Sequence, residues 1–170
     1  ENQDGTQNIY EYQYNDQYQL TQATFGKSNG SNLIPDAYDF YKVSGITYDK
    51  NGNIQTLTRN GIDATDALNP DPTMDHLSYN YDNGLPNRLE YIEDKLPLGL
   101  GHGTNGTHGL GDLPDQSTTH SVSQPNYQYN ASGKLIVDRS ENISITYNSF
   151  GKVDKIYDLS GNLKVKYSYD

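Results

Sequence analysis

Asp49, Asn51 and Asn53 alternate along the chain, an arrangement that could wrap oxygen ligands around a hard cation. A calcium loop starting at Asp49 would need its bidentate Glu at the twelfth place, where Asn60 stands. It would also need its Gly at the sixth place, whereas Gly52 is fourth, so the match fails. His102, His108 and His120 could offer imidazoles to zinc or nickel. They lie in a Gly-rich stretch with neither Cys nor a spacing that fixes tetrahedral geometry, which reads as exposed loop histidines. No Ser-His-Asp or Cys-His arrangement, Gly-x-Ser-x-Gly elbow or phosphate loop is found, and the acids are scattered over turns rather than paired. The sequons at Asn29, Asn105, Asn130 and Asn142 are what chance supplies in an Asn-rich chain. Tyr10/Tyr12/Tyr14, Tyr79/Tyr81, Tyr127/Tyr129 and Tyr167/Tyr169 form same-face sets that could stack on sugar rings. The same sets would stabilise a sheet by cross-strand pairing, at about 0.2–1 kcal/mol per pair, and that reading is favoured. No catalytic, cofactor-binding or metal-binding residue is therefore nominated, and the chain reads as a non-enzyme.

The elements that carry these residues follow from one stretch, Ile46–Gly61, ITYDKNGNIQTLTRNG. Ile46 and Tyr48 are two apart and share a face of an extended strand. Asp49-Lys50-Asn51-Gly52 supplies turn chemistry, an Asp that caps its own turn and an Asn-Gly that tolerates positive φ. Asn53–Thr58 returns as a strand rich in β-branched residues. The unit recurs as Tyr-(Asp/Asn)-x-x-Gly-x-(Leu/Ile/Val): Tyr48, Asp49, Gly52; Tyr81, Asp82, Gly84; Tyr129, Gly133; Tyr147, Gly151; Tyr157, Asp158, Gly161; and an opening copy at Tyr169, Asp170. Successive motif tyrosines are 33, 48, 18, 10 and 12 residues apart, which suits hairpins of unequal length rather than a solenoid of one period.

Around these copies, residues 1–8 read as polar and frayed. Ile9–Tyr14 and Tyr18–Phe25 read as a degenerate hairpin lacking the turn Gly. The expectation for Lys27–Asn32 is a loop, for Tyr38–Val43 a strand, and for Ile62–Asp75, with its Asn-Pro and Asp-Pro pairs, a loop. Leu77–Asp82 and Arg88–Ile92 form a hairpin through Asn83-Gly84. Residues 94–124, dense in Gly, His and Thr without periodicity, read as a mobile, exposed insertion.

Composition sets the class. The apolar share is 32%, and exchanging 16 Tyr for 16 Gly in the count leaves it short of the roughly 45–50% usual for globular domains. The core is thus expected to be thin. Tyr, 16 of the aromatics against 3 Phe, suits half-buried sheet faces with wet hydroxyls. A net charge of −10 argues against nucleic acid and anionic membranes, and no apolar run is long enough to span a bilayer. The absence of Cys excludes a disulfide scaffold and thiolate chemistry. Glu1 opens the chain without Met or a signal-like run, and Tyr169-Asp170 begins a copy it does not finish; the expectation is a segment of a longer protein.

On the copies quoted above, including Asn87-Arg88-Leu89 and Gly161-Asn162-Leu163, the chain resembles the RHS, or YD-repeat, family over most of its length outside 1–8, 62–75 and 94–124. The resemblance implies an all-β fold: consecutive antiparallel β-hairpins forming a twisted strip, part of a larger hollow β-shell. It implies a non-catalytic segment, residues 1–170, of a large secreted or cell-surface bacterial protein. The shell wall would enclose a C-terminal effector or toxin, so the implied partners are the rest of the parent chain and that toxin. Other members imply a surface binding or assembly module that contacts a partner protein or glycan. The family's core region with its self-cleaving aspartate has no match here, so no cleavage residue is carried over.

Overall fold

The computed structural model describes residues 7–28, 30, 32–61, 73–96, 116, 121 and 124–169. His102, His108, His120, Asp170, the sequons at Asn29 and Asn105, and most of 94–124 lie outside them. The described chain is all-β and antiparallel, in two sheets. The first contains β1 (Gln7–Tyr14), β2 (Leu20–Ser28), β3 (Leu33–Pro35), β4 (Val43–Tyr48), β5 (Ile54–Asn60), β6 (Thr73–Tyr81) and β7 (Leu89–Asp94), in the order β1-β2-β4-β5-β6-β7 with β3 also on β2. The second is a meander of β8 (Tyr127–Tyr129), β9 (Leu135–Asp138), β10 (Ile143–Tyr147), β11 (Val153–Asp158) and β12 (Leu163–Lys166). The chain divides into two compact units, Glu1–Tyr79 with Asp94–Pro114, and Asn80–Glu93 with Asp115–Asp170.

In the first unit the apolar core is thin, as the composition requires. Ala23, Ile46 and Leu77 are buried, and the polar Thr24 and Asp75 are buried with them. Asp75 lies directly across from Arg59 in the β5–β6 ladder and accepts from its Nε at 2.5 Å, so the buried carboxylate has an ionic partner in register. Gly26 is where β3 closes on β2, for a Cβ there would run into the carbonyl oxygen of Ile34.

Four expectations change in this unit. β1 begins at Gln7, inside the stretch read as frayed. β2 runs on through Lys27 and Ser28, the first residues of the expected Lys27–Asn32 loop, and β6 begins at Thr73, inside the expected Pro-rich loop. Tyr38–Lys42 is not a strand. Asp36 Oδ1 instead accepts from the backbone N–H of Tyr38 and Phe40 at 3.0 and 3.3 Å. The Asp39 N–H returns to the Asp36 carbonyl, and Asp39 and Tyr41 sit at φ 56° and 58°. An Asp that satisfies neighbouring amides with its own carboxylate outcompetes ladder pairing, even for an aromatic-rich segment.

In the second unit the central interactions are polar. Gln116, 2% exposed, sits in the stretch expected to be an exposed insertion. Its N–H donates to the Ile92 carbonyl at 3.0 Å, and its Oε1 accepts from the Ile92 N–H at 3.0 Å. Asn126 joins it, with Nδ2 donating to the Gln116 carbonyl at 3.3 Å and the backbone N–H donating to Glu90. These residues satisfy backbone groups along β7, a role hydrophobic periodicity does not signal.

Candidate functional site

The recurring feature of the molecule is the motif turn, and its spacing has a geometric cause. Tyr14 pairs with Leu20, Tyr48 with Ile54, Tyr129 with Leu135, Tyr147 with Val153 and Tyr157 with Leu163. In each hairpin the motif Tyr and the aliphatic residue six places on are cross-strand partners, with a register shift at the Tyr. The five residues between them form one turn. At Asp49, Oδ1 accepts from the N–H of Asn51 and Asn53 at 2.8 and 2.9 Å; the Asp49 N–H donates to the Asn53 carbonyl, and the Gly52 N–H to the Asp49 carbonyl. Asn130, Asn148 and Asp158 repeat the set, with Oδ1 distances between 2.8 and 3.0 Å. Gly52, Gly133, Gly151 and Gly161 take the left-handed place at φ 76° to 92°, as in a G1 bulge.

Asn15 makes the same set to Gln17, Gln19 and Tyr18, and Tyr18 takes the glycine place at φ 59° with its side chain 90% exposed. The degenerate copy is thus a complete turn without glycine. The Asp82 copy departs instead. Its N–H donates to Arg88, six residues on, Oδ1 accepts from Gly84 and Leu85, and Gly84 has no positive φ, so Asn83-Gly84 is not a two-residue reversal.

The motif tyrosines link successive hairpins. Tyr48 donates its hydroxyl to the Leu20 carbonyl at 2.7 Å, Tyr129 to Leu89 at 3.2 Å, Tyr147 to Leu135 at 2.6 Å and Tyr169 to Val153 at 2.6 Å. In each case the acceptor lies at the first residue of an earlier returning strand. A cation follows the same rule in the second unit. Arg88 lies over the Tyr129 ring at 5.8 Å, Lys134 over Tyr147 at 5.0 Å and Lys152 over Tyr169 at 4.6 Å. Lys134 Nζ also donates to the Gly151 carbonyl at 2.8 Å, and Arg88 Nη2 to the Asn130 carbonyl at 3.4 Å. The Asn130 and Asn148 turns share one end of this meander, whereas the Asp158 turn closes the other end, so the copies are not one uniform series. The cation rule was readable as Gly-Lys-(Leu/Val) at Gly133 and Gly151, but only beside the cross-strand partner does it acquire a role.

Electrostatics follow the turns. The Asn53 side-chain amide, with turn N–H groups behind it, holds Asp49 below the ordinary carboxylate value, and Asn162 does the same for Asp158. Burial pushes the Tyr129 hydroxyl up. Both oxygens of Asp49 and of Asp158 are occupied by turn donors, so neither carboxylate is directed at a cation. Among the described residues no group of three His, Asp or Glu side chains converges as a metal site.

A second aromatic group stands apart from the turns. Tyr10 and Tyr12 stack at 6.0 Å and 17°, Tyr10 meets Phe25 at 5.4 Å, and Phe25 meets Tyr41 edge-on at 5.4 Å. Tyr10, Tyr12 and Tyr14 remain 44%, 53% and 59% exposed. Burial and the neighbouring Tyr12 and Tyr41 hydroxyls raise the Tyr10 pKa. No protein-family model matches the chain, and no curated protein matches it.

Proposed function

We propose that the chain is a non-catalytic RHS/YD-repeat segment of a large secreted or cell-surface bacterial protein, one wall of a shell around a C-terminal effector. The observation that carries the reading is the use of the motif itself. The Asx oxygens close turns, and the tyrosine hydroxyls at Tyr48, Tyr129, Tyr147 and Tyr169 tie one hairpin to another. Residues spent on holding strands together are those of a barrier. Its mechanism is steric, since extended pairing satisfies backbone groups and leaves few free edges. The partners on this reading are the rest of the parent chain and the enclosed toxin.

The second reading is a surface binding or assembly module that meets a partner protein or glycan. The exposed Tyr10, Tyr12 and Tyr41, grouped around the half-buried Phe25, favour it, since rings with wet hydroxyls suit both kinds of partner. Electron microscopy of the native parent protein, purified without truncation, separates the two. A closed hollow particle with density inside supports the wall; an open strip or stalk docked on another protein refutes it and supports the module.

A further inference from the structure

Asn-Gly pairs stand at Asn51, Asn60 and Asn83 within the described residues, and they share one latent reaction. The Gly amide nitrogen can attack the Asn side-chain carbonyl, because a following residue without Cβ leaves the approach open. The attack needs a base for the N–H proton and an Asn side chain free to turn toward the nitrogen.

Two of the pairs are held out of reaction. In the Asp49 turn the Gly52 N–H donates to the Asp49 backbone carbonyl at 3.1 Å, and the Asp49 carboxylate is occupied by Asn51 and Asn53. Donors around it, the Asn53 amide first, hold that carboxylate below its ordinary pKa, which makes it a poorer base. Asn60 belongs to β5, donates Nδ2 to the Asp39 carbonyl at 2.9 Å and precedes a buried Gly61. Asn83-Gly84 differs at each point. Both residues are exposed, and the Asn83 side-chain amide makes no hydrogen bond among the described residues. The Gly84 N–H donates at 2.6 Å to Asp82 Oδ1, a carboxylate rather than a backbone carbonyl.

We propose that Asn83 is a self-modification site, where Asp82 is the general base that converts the Asn-Gly pair to aspartate and isoaspartate. The Gly84 N–H proton passes to the Asp82 carboxylate, and the nitrogen closes on Asn83 Cγ to form a cyclic imide. The proton returns to the departing side-chain nitrogen, which leaves as ammonia. Water then opens the imide at either carbonyl. The net change is Asn plus water to aspartate or isoaspartate plus ammonia. The product adds a negative charge, and isoaspartate also adds a backbone carbon, inside a loop closed by the bond from the Asp82 N–H to the Arg88 carbonyl. The inference does not rest on the wall reading, since it concerns the chemistry of one loop.

The test holds the whole 170-residue chain in heavy-oxygen water at neutral pH and follows each pair by peptide mass spectrometry with fragmentation. In the folded protein Asn83 is expected to convert about tenfold faster than Asn51 or Asn60. Asp82→Asn keeps an oxygen acceptor for the Gly84 N–H but removes the base. It should slow Asn83 about tenfold and leave Asn51 unchanged, with circular dichroism checking that the sheets are kept. In concentrated urea the pairs should converge, because their surroundings no longer differ. The comparison among pairs needs no variant, so it decides the matter even where Asp82→Asn unfolds. Asn51 or Asn60 matching Asn83 in the folded chain overturns the proposal. So does a folded Asp82→Asn chain converting at the natural rate, or a gap between the pairs that persists in urea.

Discussion

Replacing Tyr18 with Gly should make the protein more stable, although it removes a whole aromatic side chain. Tyr18 holds the left-handed place of the Asn15 turn at φ 59°, where the other complete motif turns have Gly. An L-residue in that region pays roughly 1–2 kcal/mol of steric strain. Its side chain is 90% exposed, so little packing is surrendered. The hydrogen bonds of the turn run between backbone groups and Asn15, and all of them survive the change. Against the relief stands the extra freedom of Gly in the unfolded chain, about 0.5–1 kcal/mol. The net expectation is a gain of about 0.5–1 kcal/mol, or a rise in Tm of about 2 °C for a chain of this size. Gly133→Ala is the converse. At φ 80° a Cβ would meet nothing within 4 Å, so only backbone strain is added, and a loss of about 1 kcal/mol is expected. Urea titrations followed by circular dichroism measure both. If Tyr18→Gly is destabilising while Gly133→Ala is neutral, the account of these turns as one strained geometry is wrong.

Further expectations follow from the same contacts. Arg59→Met leaves the fully buried Asp75 carboxylate without its guanidinium and should cost about 3 kcal/mol in urea unfolding, the lower end for a broken buried pair because Arg59 is 36% exposed. Lys134→Met removes both the donor to Gly151 and the cation over Tyr147; a loss of about 1–2 kcal/mol is expected, and a neutral result would show the pair to be idle. Asp49 and Asp158 have folded-state pKa values below the ordinary 3.8, so their contribution is present above that value and lost as pH falls through the lower folded value. Asn already fills this place at Asn15, Asn130 and Asn148, so the double variant D49N/D158N should keep the turns and flatten the acid limb of a stability-versus-pH curve.

What the sequence disclosed was local. The alternation in Ile143–Tyr147 and the Tyr-Asx-x-x-Gly spacing are decided within a few residues, and both appear where periodicity and turn chemistry put them. What it hid depends on competition or distance. Tyr38–Val43 read as a strand by its aromatics, yet Asp36 captures two amides and turns the chain. Asn15 lacked the glycine signal, because its own side chain supplies enough bonds to hold Tyr18 in the left-handed region. Gln116 was invisible, for its value comes from Ile92 and Asn126, many residues away. The purpose of the motif Tyr was also non-local. Two-residue alternation gives the face of Tyr147, but only the Leu135 carbonyl explains the hydroxyl.

The most direct test of the claim that the motif tyrosines are scaffold compares unfolding free energies of single Tyr→Phe variants. Tyr48, Tyr147 and Tyr169 each donate to a backbone carbonyl at 2.6–2.7 Å, so losing each hydroxyl should cost about 1 kcal/mol. Tyr12 and Tyr14 are more than half exposed, and their Phe variants should stay within about 0.5 kcal/mol of the natural chain. Three silent motif variants beside costly changes at Tyr12 and Tyr14 would contradict the account.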